Sequence, residues 1–102
     1  MRFGRVEGVV VPIDAGDGTR LRLTVTLETG SGLEVVREET LPPLRGTGTP
    51  EELIWHADQW TQETIGIDLA ERGWEAIGAG EVPEPEPGAL ARSASYAVRK
   101  VG

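Results

Sequence analysis

The chain has 102 residues, with 38% hydrophobic and only 5% aromatic content. That bounds it to a single domain over residues 1–102 with a modest, mostly aliphatic core, and the elements predicted along the chain make it α+β. Several classes are excluded at once. Without cysteine there is no disulfide and no thiolate zinc site. No apolar run approaches the ~18 residues of a membrane span, and MRFGRVEG has no signal-peptide core, so a cytoplasmic protein with no membrane partner is expected. The net charge of −7 is uneven: residues 51–102 hold ten acidic against four basic side chains, and all ten acids fall between Glu51 and Glu86. Direct nucleic-acid binding needs clustered positive charge and is disfavoured. Nine of the ten basic residues are Arg, the codon signature of a high-GC genome, bacterial or phage.

In chain order, RFGRVEGVVVPI (2–13) reads as a first strand, and Pro12 suggests an edge position or a bulge because it cannot donate to a ladder. DAGDG (14–18) is a turn, with Asp17-Gly18 suited to a hairpin. RLRLTVTLE (20–28) alternates cleanly, Leu21, Leu23, Val25 and Leu27 on one face and Arg20, Arg22, Thr24, Thr26 and Glu28 on the other, as in a half-buried antiparallel strand. TGSG (29–32) turns the chain, and LEVVREETL (33–41) returns as a third strand. PPLRGTGTP (42–50) reads as a connector. Its Arg45, Gly46 and Gly48 suggest an anion loop, but there is no GK[ST] ending, and Glu51 and Glu52 would repel a phosphate.

Thr49 to Trp74 predicts the one long helix. Thr49 caps it, Pro50 takes the first position, Glu52 completes a capping box, and Gly73 ends it in the left-handed conformation. Leu53, Ala57, Trp60, Thr64 and Ile67 form an apolar stripe, with Ile54 and Ile65 on its flank, while Gly66 marks a place to kink or split. Trp55 points the other way, beside Asp58, Gln59 and Gln62. A large aromatic on a polar face is a candidate partner anchor, so these four residues form the candidate partner-binding face. WEAIGAGEV (74–82) reads as a fourth strand, PEPEPG (83–88) as a stiff extended loop, and ALARSASYAVRKV (89–101) as a fifth strand with Ala94, Tyr96 and Val98 on one face. The order β-β-β-α-β-β implies an antiparallel sheet of about five strands with the helix packed on one face.

IDLAERGWEAIGAGE followed by SYAVRK resembles a family of small bacterial domains of unknown function, whose helix ends in an LxxxGWELV-type motif followed by two strands. The matching positions are Leu69, Gly73, Trp74, Glu75, Ile77, Tyr96, Arg99 and Lys100, within residues 60–101. The resemblance implies that Gly73 ends the helix and that Trp74 plugs the helix–sheet seam, and it implies no catalytic residues. Three strands before the helix and the longer PEPEPG loop depart from that pattern.

Candidate chemistry is sparse. His56 is the only imidazole; Glu52 and Glu63 share its side of the helix, but no nucleophile accompanies it. One His with carboxylates is a poor transition-metal shell, and Asp14 and Asp17 lack the spacing and closing Glu of an EF-hand, so neither a metal nor a cofactor is indicated. The expected function is therefore a small, acidic, non-enzymatic interaction domain, an inhibitor or accessory protein in its sharper form, whose protein partner offers a basic surface. The alternative is a small-ligand binder or enzyme with a helix–sheet pocket lined by Trp60, Trp74 and Tyr96. Homodimerisation through the first strand is expected if the edge of that strand is open.

Overall fold

The structure is a computed structural model that describes residues 2–14, 19–41, 50–84, 87–88 and 90–101. The Asp17-Gly18 turn, the Thr49 cap and the Arg45–Gly48 connector lie outside those residues. Five strands and one helical segment follow one another as β1 (Phe3–Asp14), β2 (Thr19–Thr29), β3 (Gly32–Thr40), α1 (Pro50–Thr64), β4 (Trp74–Glu81) and β5 (Arg92–Lys100). The strands form one antiparallel sheet in the order β3-β2-β1-β5-β4, and α1 lies across one face of it, chiefly over β1 and β5. The expected α+β architecture is thus the observed one.

β1 is the central strand over Phe3–Val10, which leaves no open edge there for homodimerisation, whereas Pro12 has a described neighbour on the β2 side only and so occupies the edge position expected of it. The strand pairs with β2 from Gly4 to Asp14 and with β5 from Phe3 to Val10. The β5 pairing stops two residues before Pro12, which lies opposite Leu21 of β2. The proline therefore lies just past the end of the β5 ladder. The open edges belong to β3 and β4.

The pairing register sorts the faces. Val6 sits opposite Leu27 and Tyr96, and Val10 opposite Leu23, so the alternating residues of β2 and β5 line up beneath the helix. Leu21, Leu23, Val25, Leu27, Ala94, Tyr96 and Val98 are all buried there, together with Leu53, Ala57, Ile65, Leu69 and Trp74. The helix comes closest at Gly8: a Cβ at that position would stand 1.8 Å from Thr61 Oγ1. Thr61 is fully buried, and its hydroxyl donates to the Ala57 carbonyl at 2.6 Å, which satisfies it within its own helix. Thr64 does the same to Trp60 at 2.8 Å.

The buried stripe runs through Leu53, Ala57, Thr61, Thr64, Ile65 and Leu69, whereas Ile67 is 56% exposed, contrary to expectation. The reason is local. At Ile65–Leu69 the helix widens into a π-helical turn containing Gly66, then tightens into a 3₁₀ turn at Ala70–Arg72. The wider turn shifts the phase and brings Leu69 in while Ile67 goes out. Gly73 then stops the helix with φ of 84°, and a Cβ there would also stand 2.7 Å from the Val101 carbonyl. Trp74 is buried immediately after it, with the Lys100 ammonium 5.6 Å from its ring centroid. No described helix is long and apolar enough to cross a membrane.

Candidate functional site

The four residues of the candidate face lie on one stripe of α1, and the structure gives them different duties. Trp55 is 59% exposed and Gln59 is exposed beside it. Asp58 and Gln62 lean toward the sheet. The Tyr96 hydroxyl donates to Asp58 Oδ1, while the Gln62 amide donates to Asp58 Oδ2 at 2.9 Å and to the Tyr96 hydroxyl at 2.8 Å. This closed triangle joins helix to sheet. Burial, and then the Asp58 carboxylate, push the Tyr96 hydroxyl up from its ordinary value to about 12. At neutral pH it is therefore a fixed neutral donor, not a base.

His56 is packed between rings. It stacks on Trp60 at 4.7 Å between centroids with 17° between planes, and meets the edge of Trp55 at 5.1 Å. The Glu63 carboxylate, a candidate partner for His56 in the sequence, accepts a hydrogen bond from Arg37 of β3 at 3.2 Å.

A cleft of about 350 Å³ opens between α1 and β4, lined by Gln62, Ile65, Gly66, Ala76, Gly78 and Tyr96. The expected helix–sheet pocket is therefore corrected. Of Trp60, Trp74 and Tyr96, only Tyr96 lines the cleft; Trp60 packs against the core, and Trp74 is buried within it. The cleft owes its shape to an irregularity. β4 pairs regularly with β5 as far as Ile77 opposite Ala97, then resumes with Glu81 opposite Ser95, leaving Gly78, Ala79 and Gly80 in a bulge. Gly78 has a φ of 73°, and a Cβ on Gly80 would stand 2.5 Å from Tyr96 Cζ. Only glycine suits both positions. The sequence carried this signal in IGAGE, where two glycines interrupt a strand pattern.

The far face of the sheet is mixed: Phe3, Leu33, Val35 and Ile77 are exposed on it beside ion pairs. Arg5, Arg22 and Arg99 pair there with Glu81, Glu38 and Glu75. Among the described residues, no group of three His, Cys, Asp or Glu side chains converges as a metal site. No known protein family, curated protein or solved structure matches this chain.

Proposed function

We propose that this chain is a non-enzymatic protein-interaction domain that docks on a basic partner surface through Trp55, Asp58, Gln59 and Gln62. The supporting observation is the exposure of Trp55 on the outward side of a helix that carries no Lys or Arg from Glu51 to Glu71. A rigid aromatic surrounded by carboxylates suits a basic surface because the ring supplies buried area and the acids supply steering. An inhibitor or accessory protein of bacterial or phage origin is the form of this reading that best suits so small and acidic a chain. The kinship with small bacterial domains suggested by Gly73-Trp74 belongs to the same proposal and adds no chemistry.

A small ligand in the α1–β4 cleft is the second reading, favoured by the cleft itself. Its polar groups, however, are bonded to one another, and a hydroxyl held near 12 does not serve as a base at neutral pH. The test is affinity capture from a high-GC bacterial lysate, wild type beside Trp55→Ala, at two salt concentrations. A partner held by wild type, lost in the variant and weakened by salt is the expected result. Capture indifferent to both would sink the reading.

A further inference from the structure

We infer that the partner contributes an extended segment that lies in the α1–β4 cleft along the open edge of β4 and sets an Arg or Lys side chain on Asp58. The inference rests on the helix-stripe reading above and makes it specific.

The two sheet edges are unlike. β3 is guarded by charge: Glu34 is bridged to Arg72 at 2.7 Å, and Arg37 holds both Glu39 and Glu63. Charged side chains on an edge discourage strand addition. Among the described residues β4 pairs only with β5, and between Glu75 and Glu81 its run Ala76, Ile77, Gly78, Ala79, Gly80 has no charge. Its side chains toward the helix are small, so Ala76 and Gly78 leave the cleft floor low beside Gln62, Ile65 and Gly66. An extended backbone fits such a trough between a helix and a strand edge, because the edge supplies main-chain bonds and the cleft accepts alternate side chains. The glycine bulge ends regular pairing after Ile77. That favours one short segment over open-ended stacking of copies.

Charge selects the side chain. The described partners of Glu34, Glu38, Glu39, Glu63, Glu75 and Glu81 are all arginines. Asp58 is different. Its partners are the neutral donors Tyr96 and Gln62, which themselves line the cleft and orient the Asp58 carboxylate behind that wall without cancelling its charge. A guanidinium or ammonium reaching past Gln62 and Tyr96 meets an oriented carboxylate that has no cationic partner among the described residues.

Phage-displayed random nonapeptides with a fixed central Arg, run beside a library with a fixed central Gln, test this directly. We expect enrichment on the wild type from the Arg library only, and none on Ala76→Phe, which fills the cleft from an exposed position. A synthetic selected peptide is expected to shift the amide resonances of residues 76–80. Asp58→Asn in the protein, or Arg→Gln in the peptide, should each weaken binding by about tenfold or more. Absence of enrichment over the Ala76→Phe background overturns the inference, as does equal affinity for Asp58→Asn. Peptides that shift only Trp55 and Gln59 also overturn it, yet leave the helix-stripe reading standing. Loss of that reading is separately visible, as capture unaffected by Trp55→Ala.

Discussion

The two flanks of α1 meet the same sheet in opposite ways. On the β3 side the seam is closed. Arg37, only 19% exposed along its side chain, reaches from β3 to Glu63 and Glu39, and Arg72 reaches back to Glu34. A register shift between Val25 and Thr26 makes this possible, since it turns Arg37 to the helix side opposite Val25. On the β4 side the helix faces alanine and glycine, and the Tyr96–Asp58–Gln62 triangle ties it to β5. The same sheet thus presents one flank as a fastening and the other as an opening, and the difference comes from two backbone irregularities together with the side chains they place, Arg37 on one flank and alanine and glycine on the other.

That contrast can be broken from several directions. The largest effect should come from Trp74→Ala, which hollows the end of the seam where β4 begins; the loss is expected to be about 3–5 kcal/mol by denaturant unfolding. Next is Gly8→Ala, which would push the helix off both flanks because a Cβ meets Thr61 Oγ1. A cost of about 1–3 kcal/mol is expected, with Thr61→Ala in the same chain recovering much of it. Independent, additive losses would show that the helix does not seat at Gly8. Arg37→Met tests the fastening. It should cost about 1 kcal/mol, near the top of the range for exposed pairs because Arg37 is largely covered and holds two carboxylates. No measurable change would mean that the β3 flank is held by packing alone.

The open flank has its own probe, because Tyr96 is the only tyrosine. Absorbance at the phenolate band therefore reads that residue alone, and its midpoint should lie at about 12 in the folded protein. The sign of the linkage follows. A folded value above the unfolded one means the native state holds the proton more tightly. The stabilisation is then complete below the unfolded value of about 10 and is lost as pH rises through the folded one. Melting temperature should fall across that window in wild type and lose that component in Tyr96→Phe, which at neutral pH should cost only about 0.5–1.5 kcal/mol. A folded midpoint near the unfolded one would remove the triangle from the account. The smallest effect is expected for Trp55→Ala, within about 0.5 kcal/mol of wild type. A large loss would make Trp55 part of the core and void the proposed face.

Much of this was legible in the residues. Alternation in β2 named Leu21, Leu23, Val25 and Leu27 as the inner face because a strand has a fixed period of two and one of its faces was dry. Gly73-Trp74 announced a helix stop and a buried plug for equally local reasons. The outward position of Trp55 followed from helical spacing. Less legible was anything that depended on which strands became neighbours. Pro12 suggested an edge or a bulge and does sit where, among the described residues, only β2 flanks it, yet β1 as a whole took the centre, since strand order is a long-range choice that no local window contains. Thr61 is fully buried despite its hydroxyl, because that hydroxyl bonds within the helix and Gly8 makes room for it.

By itself, the sequence determined the elements, their order, the inner faces of β2 and β5 and the acidic character of the helix. These depend on period, capping and charge, which act over a few residues. Only the tertiary structure decided that Ile67 turns outward and that Tyr96 lines the cleft while Trp60 does not. It likewise decided that Asp58 and Gln62, read as surface residues, are bound to a tyrosine 38 and 34 positions away. Those outcomes follow from strand register, the π-helical turn and the β4 bulge. Gly66 and the glycines of IGAGE mark where the backbone can depart from regularity, but the outcome balances backbone geometry against packing across the whole sheet.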